Sequence, residues 1–171
     1  MALGFGNGDR AHWGSFDQAA GAADEVSLQT MRASTRNTLE SYLGAAKSLL
    51  DGVRELQDLF GKPIIVSDLA LSTYGGPRFL AAQAEVLAEI RLRETELAQA
   101  GVYAIVYRSV MDADRAPHGY FGEGERHFGL VWSHNKTAKP ALQAWQPRSA
   151  YAQEADVGVP PRFRILALDQ G

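Results

Sequence analysis

Residues 61–76, GKPIIVSDLALSTYGG, decide the fold of this chain. An aliphatic run follows Pro63, reaches one carboxylate at Asp68, and then passes into Ser, Thr, Tyr and two glycines. A continuously apolar run of this length, bounded by turn-forming residues, is typical of a strand that is buried on both faces of a parallel sheet. The question is whether Asp68 is a reacting group or only the polar end of a strand.

Two amphipathic stretches flank this strand and predict helices. Before it, Asn37 is expected to cap a helix with Glu40 as the reciprocal partner, and apolar residues at spacings of three and four continue to Phe60. After it, a second helix is expected from about Pro77 to Ala100. Gly61 and Gly101 are expected to end these two helices.

Three further apolar stretches predict strands: residues 1–5, MALGF; residues 24–31, DEVSLQTM; and residues 102–110, VYAIVYRSV. Strands and helices therefore alternate along the chain. Long helical connections between strands imply parallel pairing and right-handed crossovers. The sequence predicts an α/β protein built from parallel βα units.

The composition of the chain changes after residue 110. Residues 111–126 form a polar, glycine-bearing loop, and a short terminal helix is expected at about residues 139–145. We predict one structural unit over residues 1–147 and a C-terminal arm or partner-docking segment over residues 148–171.

Composition excludes several classes of protein. The 171 residues are 46% hydrophobic and 22% charged, which suits one domain with a sizeable core. A net charge of −3 gives no electrostatic case for nucleic acid or an anionic membrane. No signal peptide or apolar membrane span is visible, which predicts a soluble protein and leaves its compartment open. With no cysteine and no histidine pair at metal-ligand spacing, we expect neither a metal nor a cofactor.

Three stretches in this order resemble the C-terminal half of a TIM-barrel glycoside hydrolase of the large retaining clan, which includes β-glucanases, mannanases and galactanases. In GKPIIVSDLALS, Asp68 stands where the nucleophilic glutamate of strand seven is found. DEVSL is similar to the first half of strand six, and GLV at residues 129–131 with KPA at residues 139–141 is similar to the segment after strand eight. The resemblance implies that residues 1–147 are strands five to eight of a (β/α)8 barrel.

The resemblance also implies a function. The chain is expected to act on O-glycosidic bonds of a poly- or oligosaccharide, with Asp68 at the nucleophile position. The first four strands are absent, so the barrel would be completed by a second copy in a homodimer or by a missing N-terminal half. Because Asp68 replaces a glutamate and the strand that carries the family's acid/base residue is absent, the alternative is a non-catalytic carbohydrate-binding or structural protein with a degenerate hydrolase fold.

Further residues are candidates for the site because they lie at strand ends or in the loops that follow. The candidate substrate-binding residues are Gln29, Arg32, Arg108, Asp112, Trp13 and Tyr120. Several of these residues, and Asp68, have a structural alternative. Asp68 can form a salt bridge with Arg32 or Arg108, Asp112 can close an Asx turn, and the aromatic and histidine side chains at positions 118, 120, 121 and 127 can belong to a solvated loop. Trp13 has the same two interpretations.

Overall fold

The computed structural model describes residues 1–115, 119–145 and 164–167, in which strands and helices alternate. The strands are β1 (Ala2–Gly6), β2 (Glu25–Arg32), β3 (Ile64–Leu71), β4 (Val102–Tyr107) and β5 (Arg164–Ala167). The α-helices are α1 (Asp17–Gly21), α2 (Leu39–Leu43), α3 (Ala45–Phe60), α4 (Pro77–Leu92), α5 (Glu94–Gln99) and α6 (Pro140–Trp145). Two 3-10 helices span Arg10–Phe16 and Gly122–His127.

The strands form one sheet in the order β1-β2-β3-β4-β5, and every neighbouring pair is parallel. The predicted α/β class and the parallel βα units are therefore confirmed. The register places Gln29 of β2 beside Asp68 of β3, directly after an irregularity between Leu28 and Gln29. This register brings the polar ends of β2 and β3 together.

One face of the sheet carries the hydrophobic core, which α3 and α4 cover. Side chains that alternate along each strand point toward these helices and are buried. The strand residues of this core include Val26, Leu28, Ile64, Val66, Leu69, Leu71, Ile105 and Tyr107. The helices contribute Leu49, Val53, Leu56, Val86, Leu87 and Ile90. Full burial of one such aliphatic side chain is worth roughly 1.5–3 kcal/mol, so this face supplies most of the stabilisation.

The opposite face of the sheet carries small and polar residues at β1 and β2, and we call it the polar face, although Ile65 and Val106 also lie on it. Gly4 lies against Ser27, since a Cβ added to Gly4 would be 3.3 Å from the serine Oγ. Tyr103 donates a hydrogen bond to Glu25 on the same face, and Gln29 is exposed. The two faces therefore differ sharply, and the polar face is the one that carries Asp68.

Each of the two predicted helices is divided in the structure. Gly44 separates α2 from α3, and Arg93 separates α4 from α5. Gly44 has a low helix propensity, which favours a break at this position. The spacing of apolar side chains does not reveal a break of one residue. The predicted end of the first helix is confirmed, because Gly61 caps α3 with a φ of 58°.

The cap of the first helix differs from the prediction by one residue. Thr38 is the N-cap, and its side chain accepts a hydrogen bond from the backbone N–H of Ser41. The Asn37 side chain instead accepts from the backbone N–H of Ala33 across 3.0 Å. Asn37 thus closes the turn after β2 instead of capping the helix. The local sequence does not show which of these two hydrogen bonds the side chain makes.

Residues 164–167 are the described part of the predicted C-terminal arm. As β5 they pair in parallel with β4, from Ala104 beside Arg164 to Tyr107 beside Ala167. The other residues of the arm, 148–163 and 168–171, lie outside the described residues. The arm therefore contributes one short strand to the sheet edge next to β4.

Candidate functional site

Asp68, three residues before the end of β3, and Arg108, directly after β4, form an ion pair toward the carboxyl edge of the sheet. Arg108 Nη1 donates to Asp68 Oδ2 across 2.6 Å, and the two side chains are 32% and 19% exposed. The Arg108 guanidinium also stands over the ring of Phe128 at 5.8 Å from its centroid. Ligands of open parallel sheets and of barrels bind at the carboxyl ends of the strands, so this pair lies where a site is expected.

The carboxyl group of Asp68 is held in an unusual environment. Burial raises its pKa above the ordinary value, the charge of Glu125 raises it further, and Arg108 opposes both. Oδ1 of Asp68 is buried and has no hydrogen-bond partner among the described residues. One carboxylate oxygen is therefore fixed by a cation, while the other has unused hydrogen-bonding capacity in a buried position.

The 3-10 helix Gly122–His127 crosses the carboxyl edge of the sheet. Ser72, directly after β3, donates through Oγ to the carbonyl of Gly124 across 2.6 Å. The backbone N–H of Thr73 donates to the carbonyl of His127 across 3.0 Å. These bonds fix the loop after β4 onto the loop after β3.

A small apolar cluster lies between this 3-10 helix and the sheet. Phe121 and Phe128 pack edge to face at 5.9 Å, against Ala33 and Ala70 from the ends of β2 and β3. Met31 packs against the cluster, and its Sδ lies 3.8 Å from Nη1 of Arg108. The cluster forms an apolar floor next to the ion pair.

Two tyrosine rings form the exposed rim of the site. Ser34 donates to the carbonyl of Tyr74 across 2.7 Å, and the Tyr74 ring lies 5.5 Å from that of His127. Arg36 donates to the carbonyl of Tyr120 across 3.1 Å and stacks 4.5 Å above its ring. Tyr74 is 39% exposed and Tyr120 is 68% exposed. The loops after β2, β3 and β4 are thus joined around two accessible aromatic faces.

Below the rim, Lys139 is buried with its charge paired. Its Nζ donates to Asp112 Oδ1 across 2.6 Å and to Thr73 Oγ1 across 3.0 Å, and it lies 4.5 Å from the centroid of the Trp132 ring. The same Asp112 oxygen accepts the backbone N–H of Gly129 across 2.9 Å. Burial lowers the pKa of Lys139, and the bond to Asp112 partly offsets this. Because the lysine side chain is fully enclosed, this cluster links loops and is not open to a substrate.

His127 belongs to both the rim and this cluster. Its Nδ1 lies 3.9 Å from Asp112 Oδ2, and its side chain is 33% exposed. Burial lowers the pKa of His127 from its ordinary value, and the nearby Lys139 lowers it further, although Asp112 acts in the opposite direction. The imidazole is therefore neutral at physiological pH.

Arg32 lies on the other side of the sheet from Asp68. It donates to Ser48 Oγ of α3 across 3.2 Å, and Asn7 donates to the same oxygen across 2.9 Å. Asn7 also reaches Thr30 Oγ1 at 3.3 Å. Of the two arginines expected as partners of Asp68, Arg108 is therefore the one that pairs with it.

Four of the seven sequence-predicted residues lie together at the candidate site, and the other three do not. Asp68, Gln29 and Arg108 share the polar face at the ends of three neighbouring strands, with Tyr120 on the rim. Asp112 is nearby, but its carboxylate is occupied by Lys139 and only 6% exposed.

Trp13 does not belong to this site. It is 1% exposed, packs 5.7 Å from Phe5, and donates through Nε1 to the carbonyl of Gly6 at 3.3 Å. Its ring is enclosed, with the Arg10 guanidinium 5.7 Å from the ring centroid, so its position corrects the expectation of a stacking platform for a sugar. His118 lies outside the described residues.

Glu125 was not identified from the sequence. Its side chain is half-buried, and Oε1 accepts the backbone N–H of Phe121 across 3.0 Å. Its segment, FGEGER, contains two glutamates two residues apart, and nothing in the spacing tells Glu123 from Glu125. Only the folded loop shows which of the two turns inward.

No protein-family model matches this chain, and no curated protein is significantly similar to it. In the described ranges, no group of three or more histidine, aspartate or glutamate side chains is arranged to hold a metal ion. None of the helices in those ranges is long and apolar enough to cross a membrane.

Proposed function

We propose that this chain forms the second half of a (β/α)8 barrel of the glycoside-hydrolase type and acts on O-glycosidic bonds at the carboxyl edge of its sheet. The observation that carries the proposal is the Asp68–Arg108 pair, with one carboxylate oxygen fixed at 2.6 Å and the other without a partner among the described residues.

The strand order supports a barrel segment. β1 to β4 lie in chain order and are all parallel, and α3 and α4 pack on the same face. Doubly wound sheets reverse the strand order and carry helices on both faces, whereas a barrel keeps chain order with its helices outside. The small, polar face that bears Gly4, Ser27 and Gln29 would then be the inner face of the barrel.

The rim supports a carbohydrate as the ligand. Tyr74 and Tyr120 offer apolar ring faces with polar edges, and these suit the apolar faces of pyranose rings. Asp68 and Gln29 supply hydrogen-bonding groups at the centre. Arg36 stacked on Tyr120 and the contact between Tyr74 and His127 hold the two rings in place.

Asp68 is the residue proposed to attack the anomeric carbon. Arg108 favours the ionised carboxylate that this role needs, although burial raises its pKa. Oδ1 makes no hydrogen bond in the described part of the chain and is therefore the oxygen proposed to attack, although it is buried in this structure and a substrate must displace what covers it.

A second candidate function is carbohydrate binding without hydrolysis. It is favoured by the 2.6 Å bond from Arg108, since a carboxylate oxygen in a charge-assisted hydrogen bond is a weaker nucleophile. In this case Asp68 and Arg108 would recognise sugar hydroxyl groups together.

One experiment tests both functions on the full chain. Calorimetry measures binding of β-linked gluco-, manno- and galacto-oligosaccharides, and release of reducing ends measures their hydrolysis. For a hydrolase, Asp68→Asn abolishes hydrolysis and preserves binding, whereas Asp58→Asn, at an exposed position of α3, changes neither. Binding without any hydrolysis by the wild-type chain selects the second candidate, and no binding of any sugar rejects both.

A further inference from the structure

A polar cluster lies on the helix side of the sheet, where β1 and β2 end against the first turns of α3. Asn7 directly follows β1, Thr30 and Arg32 lie at the end of β2, and Ser48 belongs to α3. Asn7 Nδ2 donates to Ser48 Oγ across 2.9 Å and to Thr30 Oγ1 across 3.3 Å. Arg32 Nη2 donates to the same serine oxygen across 3.2 Å. The asparagine and the arginine therefore meet at one hydroxyl group.

Arg32 has no anionic partner among the described residues. Its Nη1 donates to the backbone carbonyl of Met31 across 2.9 Å, and its Nε is buried and makes no hydrogen bond within the described ranges. A guanidinium has five N–H donors, so most of them lack a protein acceptor here. Other arginines of the described chain are paired with carboxylates, namely Arg10, Arg54, Arg91, Arg93, Arg108 and Arg126.

The neighbouring groups supply hydrogen-bond donors but no negative charge. Ser48 Oγ accepts from both Asn7 and Arg32, so its own O–H retains the capacity to donate. Asn7 Oδ1 is an acceptor without a partner in the described part of the chain, but it lies against Gly52 of α3, where a Cβ would be 3.0 Å away. The helix thus holds the asparagine in place, and its Nδ2 fixes the serine hydroxyl beside the guanidinium.

The unpaired cation is partly withdrawn from water. Burial lowers the pKa of Arg32, and no carboxylate contributes an opposing effect. Arg32, Asn7 and Ser48 are each partly exposed, so a small ion can reach the cluster from solvent. The carboxyl ends of parallel strands are also the edge at which open α/β sheets bind their ligands.

We propose that Arg32 and Ser48 bind an oxyanion, a phosphate or carboxylate group, at the carboxyl ends of β1 and β2. The planar guanidinium can donate two parallel hydrogen bonds to such a group, and the serine hydroxyl can donate a third. Asn7 acts as a positioning residue through its bond to Ser48. Since Arg32 lies on the other side of the sheet from Asp68, this inference does not depend on the proposed hydrolase function.

The test follows the Nε–H signal of Arg32 by NMR in the full chain with isotopically labelled nitrogen. The signal is assigned by its loss in Arg32→Gln. Sodium phosphate, sodium acetate and sodium chloride are added in separate titrations at equal ionic strength. We expect a saturable shift with phosphate or acetate that chloride does not produce, and the anion that gives it identifies the class of ligand. The same anion should raise the thermal unfolding midpoint, because it binds the folded chain.

Three variants complete the test. Arg32→Gln should weaken binding of that anion by about 10-fold or more, and Ser48→Ala should weaken it by a smaller factor. Arg54→Gln is the control, since Arg54 is exposed on the same helix and already pairs with Glu96 across 3.2 Å, and it should bind the anion as the wild type does.

Two results would overturn the inference. One is a wild-type Arg32 signal that does not move, or that moves equally with all three salts. This result needs no variant, so it decides the question even if Arg32→Gln does not fold. The other is an equal stabilisation of the wild type and Arg32→Gln by phosphate or acetate, which would place the anion elsewhere on the chain.

Discussion

Arg108 Nη1 lies 2.6 Å from Oδ2 of Asp68 and joins the carboxyl end of β4 to that of β3. The bond crosses two neighbouring strands on the polar face of the sheet. It compensates for part of the cost of burying a carboxylate, because burial alone raises the pKa of Asp68 and Arg108 lowers it. Burial has the larger effect on the pKa of Asp68 and the contact with Arg108 acts against it, and several measurements follow from this balance.

Replacing Arg108 should raise the pKa of Asp68 further. Arg108→Gln removes an opposite charge in direct contact, and such contacts shift carboxyl pKa values by about one unit or more. The carboxyl carbon of Asp68, followed by NMR during a pH titration, gives the value directly. Arg36→Gln is the control, since Arg36 stacks on Tyr120 and makes no bond to Asp68. An unchanged midpoint in Arg108→Gln would show that the ion pair does not act on Asp68 in solution.

The raised pKa of Asp68 also predicts a pH dependence of stability. Since the pKa is higher in the folded than in the unfolded chain, the folded state binds the proton more tightly, and this group adds stability at low pH that is lost as pH rises through the folded pKa. Relative to Asp68→Asn, the wild type should therefore gain free energy of unfolding as pH falls from neutral into the acid range. Urea denaturation of both proteins at several pH values measures this difference. A constant difference across the range would contradict the shift.

The buried pair of Lys139 and Asp112 should be costly to break. Lys139→Met leaves a carboxylate that is 6% exposed without its cation, and removing one partner of a buried pair costs about 3–5 kcal/mol. Replacing both residues, as Lys139→Met with Asp112→Leu, removes the unpaired charge and should recover part of that loss, since the buried backbone N–H of Gly129 then loses its acceptor. Urea denaturation gives both values. Equal losses in the single and double variants would mean that the pair contributes through packing rather than charge.

The fold was predictable because its signals are local. The aliphatic run before Asp68 and the apolar stripe that ends at Phe60 each specify an element by periodicity, and these elements are present as β3 and α3. Small interruptions were not predictable. Gly44 divides one helix, and Asn37 closes a turn instead of capping, because tertiary contacts decide between two uses of the same residue.

The candidate site was predictable only where it depends on strand ends. Asp68 and Arg108 each follow or close an apolar run, so their meeting at one edge follows from parallel pairing. Trp13 and Glu125 depend on how a loop folds back. The first is enclosed by the core, and the second is turned inward by contacts with Gly119 and Phe121, which sequence spacing does not show.

Truncation of Trp13 should mainly reduce stability, whereas truncation of Tyr120 should mainly weaken carbohydrate binding. Trp13→Ala removes a side chain that is 1% exposed and should lower the free energy of unfolding by about 3–5 kcal/mol. Tyr120→Ala removes a ring that is 68% exposed, so it should change stability by about 0.5 kcal/mol or less and weaken carbohydrate binding. Urea denaturation and calorimetric titration separate the two effects. A loss of stability in Tyr120→Ala comparable to that in Trp13→Ala would contradict this division.

The short strand β5 should protect the edge of the sheet at β4. Residues 164–167 pair in parallel with β4 and cover the edge that β4 would otherwise expose. Without them, β4 presents an apolar edge of unpaired backbone groups, VYAIVY, which favours pairing with another chain. A chain ending at Trp145 should therefore associate more strongly than the full chain, as measured by light scattering over a range of concentrations.

A second variant separates loss of the strand from loss of the whole arm. Ile165→Pro with Leu166→Pro keeps the length of the chain and removes two backbone donors from β5, and proline is not accommodated in a paired strand. Its molar mass should increase with concentration in the same way as that of the truncated chain. If both variants keep the molar mass of the full chain, β5 does not protect this edge from association.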